Sequence, residues 1–308
     1  MDDAAPRTLG SDLVRHKDLL VVREHIDPLI ANGLDSLDAI FAAASGESLV
    51  KPRLDPWRER LRLVLEKPGP LEIVYAKRFS NPPRKTARQL KRAHCGAKSL
   101  AGLEWHWLRT FKQLGIPAAE PIAFGETLRG SRELRSAVLI AAVPGESLEK
   151  LARSLPAHAP ADRALLSAVA KLVGRMHGLG LVHRDLYLSH FFFDAESGPE
   201  SGLRLIDLQR VLRPTVLRTR WFVKDLAALN YSTPITLVSN TRRLRWLNEY
   251  LRQRDRTECR IGLPQSDSAE RLRRMTRQWA YLIAGKTDRI ARHDRNVSPS
   301  LPQGDKGR

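Results

Sequence analysis

The stretch from Arg163 to Asp207 constrains the fold more tightly than any other part of the chain. In DRALLSAVAKLVGRMHGLG, the residues Leu165, Leu166, Val169, Leu172, Val173 and Met176 recur at helical spacing, and Gly178 with Gly180 is expected to stop the helix. That buried helix delivers the chain into LVHRDLYLSH. HFFFD and LRLID then read as two short strands joined by the turn segment AESGPESG. Asp185 is thereby placed on a loop leaving a helix, and Asp207, 22 residues on, at the end of a strand.

Upstream the texture is that of a sheet. RLRLVLEK (60–67) alternates apolar and basic residues, PGP (68–70) is a turn signal, and LEIVYAKRF (71–79) alternates again, so the pair predicts a hairpin. Lys77 shares a strand face with Ile73 and Tyr75 by the period of two. After a basic connection, NPPRKTARQLKRAHCGAK, the segment SLAGLEWHWLRTFKQLG sets Leu100, Leu103, Trp107, Phe111 and Leu114 on a helical stripe that ends at Gly115 and Pro117, with Glu104 beside the stripe. LRSAVLIAAVPGESLEKL predicts a buried strand running through a Pro-Gly turn into a short helix, a hinge between two lobes near Pro144. The fold class is therefore α+β. Its expected parts are an N-terminal extension over 1–35, a small β-rich lobe over 36–143, a larger helical lobe over 144–291 and a disordered tail over 292–308. Residues 1 to about 30 are weakly patterned and read as a helical extension or a loosely held arm.

Composition narrows the setting. Cys95 and Cys259 make no disulfide framework and, with scattered histidines, lack a structural zinc spacing. The longest apolar run, Ala137 to Val143, is far short of the roughly 20 residues a membrane span needs, and the acidic start MDDAAPRTLGSD does not read as a secretory signal. The expected location is the cytoplasm, with contact at a membrane surface left open. A formal net charge of +18 attracts polyanions, whether nucleic acid, anionic lipid headgroups or phosphorylated sugars. No base-stacking or groove-reading motif accompanies that charge, which argues against nucleic acid.

The order of the ionisable residues points to phosphoryl transfer. That reaction needs one carboxylate to orient and accept the proton of the attacking hydroxyl and another to hold magnesium against the nucleotide phosphates. His183-Arg184-Asp185 followed by Asp207 has the order found in kinases, with Asp185 suited to the first task and Asp207 to the second. A lysine on a strand and a glutamate on the next helix complete the set, because the lysine grips phosphate only when a carboxylate holds its long side chain; Lys77 and Glu104 stand in that order.

HRDLYLSHFFFD, then LRLIDLQRV, then RWFVKDLAALNYS, resembles the lipopolysaccharide kinases of Gram-negative bacteria, the heptose and Kdo kinases of the inner core, and is most similar to the heptose-kinase branch of that protein-kinase-like superfamily. The likeness runs from about Ser36 to Tyr250. It implies a two-lobed kinase fold, ATP and Mg2+ as cofactors and a lipopolysaccharide-core sugar, an anionic glycolipid or phosphosugar, as acceptor. By motif, Asp185 would be the catalytic base within the His183-Arg184-Asp185 core, Asp207 the magnesium ligand, Lys77 the phosphate-binding lysine and Glu104 its partner. His190 stands where most kinases carry a metal-binding asparagine; nitrogen suits magnesium poorly, so its expected roles are metal site, phosphate contact or orientation of Asp185. Asp225 would hold the backbone of the H-R-D loop. Among the arginines and lysines after Asp207 (Arg210, Arg213, Arg218, Arg220, Lys224), Arg218, Arg220 and Lys224 are the expected acceptor contacts.

Besides His190, the chain departs from the kinase pattern at KPRLDPWRER, where a glycine-rich loop should cover the phosphates and which contains no glycine. A kinase acting on protein hydroxyls, one acting on another small molecule, and a catalytically weak pseudokinase that serves as a binding module stay open beside the sugar-kinase reading.

Overall fold

A computed structural model describes residues 12–43, 47–48, 55–67, 69, 71–156, 162–260 and 269–297. The chain divides into two compact units. The first runs up to Val143 and takes back the short segment Asp207–Arg210; the second comprises Pro144–Ile206 and the residues from Val211 onward.

The first unit is built on an antiparallel sheet of seven strands: β1 (Leu13–His16), β2 (Leu19–Val22), β3 (Glu47–Ser48), β4 (Arg58–Val64), β5 (Ile73–Ser80), β6 (Pro121–Arg129) and β7 (Arg132–Ala141), in spatial order β1-β2-β6-β7-β5-β4-β3. The predicted hairpin is β4–β5, with Arg60 opposite Lys77 and Leu61 opposite Ala76. One sheet face closes over Leu19, Val21, Leu61, Leu63, Val74, Ala76, Ile122 and Leu139, with Leu37 and Ile40 buried in the same cluster. Burying each of these larger aliphatic side chains contributes roughly 1.5–3 kcal/mol. The expected N-terminal extension over 1–35 contributes two strands to this sheet, Leu13–His16 and Leu19–Val22. β1 and β2 form a hairpin and β2 pairs with β6, Leu20 opposite Phe124. Its four-residue arms enclose a charged Lys17-Asp18 turn, with Lys17 at φ +51°, and so carry too short a pattern to stand out. Two short helices follow β2, α1 (Ile26–Ala31) and α2 (Leu37–Ala42).

The basic connection after β5 contains α3 (Ala87–Ala93), and the stripe of leucines and tryptophans forms α4 (Leu100–Gln113). Ser99 caps α4 by accepting from the Gly102 N–H at 3.0 Å, and the Glu133 carboxylate of β7 accepts from the Leu100 N–H at 3.0 Å. Leu100, Leu103, Trp107 and Phe111 are buried as expected, Leu114 is partly so, and Leu108 is buried with them. Glu104 lies within that buried stripe, fully shielded, rather than beside it.

The second unit is mainly helical: α5 (Leu148–Ser154), α6 (Arg163–Gly178), α7 (Gly198–Ser201), α8 (Arg218–Ser232), α9 (Asn240–Arg260) and α10 (Ala269–Val297), with a small antiparallel sheet of β8 (Glu146–Ser147), β9 (Phe191–Phe193) and β10 (Leu203–Leu205). Gly145, at φ +81°, sits so close to β9 that a Cβ there would fall 2.0 Å from the Phe193 carbonyl oxygen, so only glycine lets the chain enter this sheet. Gly178 is still helical, and α6 turns out at Gly180. The smallness of Gly178 serves another purpose: a Cβ would lie 2.8 Å from the Arg254 carbonyl oxygen of α9. α6 and α9 therefore approach backbone to backbone. α10 runs to Val297 and so takes in the first six residues of the expected disordered tail over 292–308; Trp279 and Ile283 are buried on its inner face. The rest of that expected tail lies outside the described residues. Among the described residues no helix is long and apolar enough to cross a membrane.

Candidate active site

In the first unit four charged side chains converge. β5 presents Lys77, whose Nζ donates to Glu104 Oε1 at 2.5 Å and to Asp207 Oδ1 at 3.1 Å. Arg60, opposite Lys77 on β4, donates from Nη2 to Asp207 Oδ2 at 3.2 Å. Burial pushes the Glu104 carboxyl up; Lys77 pulls it back and Asp207 adds to the rise. The second Glu104 oxygen, Oε2, is buried and has no hydrogen-bond partner among the described residues. Next to this group Arg58 donates to Gln209 Oε1 at 2.6 Å and lies 5.4 Å from the Trp57 ring. Burial, then the like charge of Arg60, lowers the pKa of its guanidinium. Asp207 has φ +60°, the left-handed region that a non-glycine residue enters at a cost of about 1–3 kcal/mol.

In the second unit α6 ends and the chain runs through His183, Arg184 and Asp185. Asp225 on α8 is fully buried and organises this loop from beneath. Its Oδ2 accepts from the His183 N–H at 2.6 Å and its Oδ1 from the Arg184 N–H at 2.7 Å. His177, the last histidine of α6, places Nε2 3.3 Å from Asp225 Oδ2 and Nδ1 2.8 Å from the Tyr250 hydroxyl of α9. Burial holds the His177 pKa below its usual value, so the neutral ring donates Nε2–H to Asp225 and accepts the Tyr250 O–H on Nδ1. The burial of Tyr250 raises its own pKa, which keeps that proton on the hydroxyl. Arg184 sits at φ +71°, and its guanidinium lies 5.5 Å from the Trp221 ring.

His183 is fully buried, and its Nε2–H donates to the Ile206 carbonyl at 3.0 Å, which ties the H-R-D loop to the residue just before Asp207. His190 closes a single 3₁₀ turn (Leu188–His190), where its Nδ1–H donates to the Asp185 carbonyl oxygen at 2.6 Å. Asp185 itself is partly exposed. Arg218 and Arg220 lie on the first turn of α8 and Lys224 on the second. Arg218 Nη2 is 3.8 Å from Glu258 on α9, Arg220 is exposed, and the Lys224 Nζ is 5.8 Å from the Trp221 ring.

The structure thus brings Lys77, Glu104 and Asp207 together in one unit and His183, Arg184, Asp185, His190 and Asp225 in the other. Motif reading did not single out Arg58, Arg60, His177 or Tyr250. The arginines carry a legible signal, since RERLRLV alternates them against the buried Leu61 and Leu63. His177 and Tyr250 carry none: 73 positions separate the two rings that share a hydrogen bond.

The carboxylate of Asp207 offers hard oxygen donors of the kind magnesium takes. His190, with Nδ1 committed to the Asp185 carbonyl, is geometrically suited to holding the loop. Elsewhere Glu24, His25 and Glu120 bring ligand atoms within 4.8 Å of one another, and Lys112 already supplies a cation there, 2.7 Å from Glu120.

The second unit also holds a cavity of about 630 Å³ walled mostly by apolar side chains, among them Leu151, Leu165, Val169, Leu229, Leu247 and Ile283.

The chain is similar to several known proteins. It is 34% identical over 159 residues to the lipopolysaccharide core heptose(I) kinase WaaP of Pseudomonas aeruginosa, covering 49% of this chain and 59% of the relative. It is 32% identical over 142 residues to the enzyme of the same name from Escherichia coli K12, covering 43% and 53%. The matched stretches thus span a little over half the length of those relatives. A solved structure of WaaP in complex with acyl carrier protein has the same fold, with a TM-score of 0.57 at 24% identity over 89% of this chain and 98% of that one. The model of the lipopolysaccharide kinase (Kdo/WaaP) family matches residues 84–273, which leaves Lys77 just outside the match and includes Glu104, Asp185, Asp207 and Asp225. With well over half of its length matched, this chain belongs to the lipopolysaccharide kinase (Kdo/WaaP) family.

Proposed function

We propose that this protein is an ATP- and magnesium-dependent kinase that phosphorylates a sugar hydroxyl of the lipopolysaccharide inner core, a heptose in the first instance. The observation that carries the reading is the Lys77–Glu104–Asp207 cluster, in which a buried carboxylate fixes the lysine and a second carboxylate lies at its tip. Asp207 would hold the magnesium, which would supply positive charge beside the nucleotide phosphates. Lys77, held by Glu104, binds the phosphates. Asp185 orients the acceptor hydroxyl and takes its proton. Asp225, through the His183 and Arg184 amides, fixes the backbone that carries Asp185, and His190 steadies the same loop through the Asp185 carbonyl. Arg220 and Lys224, with Arg218, supply positive charge to an anionic acceptor. Such an acceptor is embedded in a membrane, so the site of action is the cytoplasmic face of the inner membrane, reached peripherally.

A second ligand is favoured by the apolar cavity of the second unit. Its volume and lining suit a fatty acyl chain, and the partner named for the related solved structure, an acyl carrier protein, is one that carries such a chain.

The experiment is ADP release from Mg-ATP with and without dephosphorylated lipopolysaccharide core, comparing wild type with Asp185→Asn. Acceptor-dependent turnover that falls by roughly 10³ in the variant, about 4 kcal/mol of transition-state stabilisation, is the expected result. Nucleotide binding without turnover on any acceptor would sink the enzyme reading and leave a binding module.

A further inference from the structure

Between Gly46 and Gly69 the sequence has no glycine, and Pro52 and Pro56 each lack a backbone N–H. Without glycine a loop approaches a phosphate less closely, and at Pro52 and Pro56 it has no backbone N–H to give it. Any compensating positive charge must come from side chains. On β4 the residues Arg58, Arg60 and Arg62 share the face opposite the buried Leu61 and Leu63. Arg60 stands directly across from Lys77. Like charges in that cross-strand position repel, and here the Asp207 carboxylate holds both, one on each oxygen.

Once Asp207 turns to a divalent metal, its oxygens no longer serve both cations. Lys77 keeps Glu104. Arg60 has Asp207 as its ion-pair partner among the described residues, so its guanidinium needs another anion. Lys77 and Arg60 are balanced by Glu104 and Asp207; adding a divalent ion leaves the cluster with two uncompensated positive charges, which a polyphosphate tail removes. A planar guanidinium matches phosphate oxygens two at a time, and the Arg60 side chain, 20% exposed, is open to a ligand.

Resting on the kinase reading above, we propose that Arg60 is a second cationic arm for the nucleotide phosphates, released from Asp207 when the metal-nucleotide complex binds and standing in for the missing glycine-rich loop. The test is equilibrium binding of ATP, ADP and adenosine in Mg2+ to wild type, Arg60→Gln and Arg60→Lys, with thermal unfolding of each. Loss of ATP affinity in R60Q by roughly 10- to 100-fold, with adenosine affinity retained and R60K intermediate, is the expected outcome. ATP affinity unchanged in R60Q, or adenosine affinity lost in parallel with it, overturns the assignment to phosphate. Wild type that binds adenosine no more weakly than Mg-ATP overturns the kinase reading beneath it, so the two failures are told apart.

Discussion

Replacing Asp225 by asparagine removes one charge and changes one atom, and the structure says what that change costs. Three N–H groups converge on the two carboxylate oxygens: His183 N at 2.6 Å, Arg184 N at 2.7 Å and His177 Nε2 at 3.3 Å. An asparagine keeps its oxygen on one side only. If it faces His183 and His177, its amide points N–H at N–H against Arg184, in a site with no exposure to water. A hydrogen bond to a charged acceptor is worth about 1.5–3 kcal/mol, and leaving a buried donor unpaired costs about 1–3 more. D225N should therefore lose roughly 3–5 kcal/mol, equivalent to about 6–10 °C in Tm at 2 °C per kcal/mol for a chain this long. Urea unfolding followed by tryptophan fluorescence, with calorimetry alongside, measures it. Tyr250→Phe, which deletes the O–H donated to His177, should cost about 1–2 kcal/mol. Because both act on one imidazole, the double variant should show a coupling of about 0.5 kcal/mol or more. A D225N protein melting within 2 °C of wild type, with additive effects of Y250F, would refute the view that Asp225 and its relay hold the H-R-D backbone.

Other consequences are equally open to measurement. Burial pushes the Glu133 carboxyl to about 7, although Ser136 and the Leu100 N–H both stabilise its anion. A folded pKa above the unfolded one means stability that is fully present below about pH 4.5 and lost as pH rises through 7. Glu133→Gln should remove that loss, so its stability relative to wild type should improve by about 1–3 kcal/mol between pH 4.5 and pH 8; parallel stability–pH curves would exclude it. Arg218→Gln with Arg220→Gln should raise the KM for the lipopolysaccharide acceptor roughly tenfold or more, and an unchanged acceptor KM removes these residues from acceptor binding. Filling the apolar cavity with Val169→Trp should cut the affinity for a long-chain fatty acid by at least about tenfold. Equal binding in titration calorimetry would place the acyl chain elsewhere.

Much of the candidate site was legible because its chemistry is local in sequence. A lysine must sit on a strand, a glutamate on the following helix and an aspartate after a helix-ending glycine, and each pattern is complete within about ten residues. The hairpin around Lys77 and the helix around Glu104 follow from apolar periodicity alone, which also marks β7 and α6. Legibility ends where a residue acts through a distant partner. Tyr250 reads as one more aromatic in an arginine-rich helix until α9 meets α6 at Gly178 and its hydroxyl finds His177. β1 and β2 read as a helical extension or a loose arm, since four-residue strands broken by charges give no periodicity to count; they pair with each other, and β6 joins β2 to the sheet. Arg60 belongs to no motif of its own. Its meaning depends on Asp207, 147 positions away.

That last contact belongs to a unit the chain completes out of order. Residues up to Val143 make the sheet and α4, yet the four residues Asp207–Arg210 that fold with them emerge from the ribosome only after roughly sixty more have been made. Until then Lys77 has Glu104 for company, whereas Arg60 waits for its carboxylate. Vectorial synthesis thus leaves the first unit electrostatically unfinished until part of the second exists. A fragment cut at Val143 would inherit the same deficit permanently, so a single scission cannot yield two complete halves, and the counter-ion for the nucleotide-side arginine is a late arrival by design of the topology.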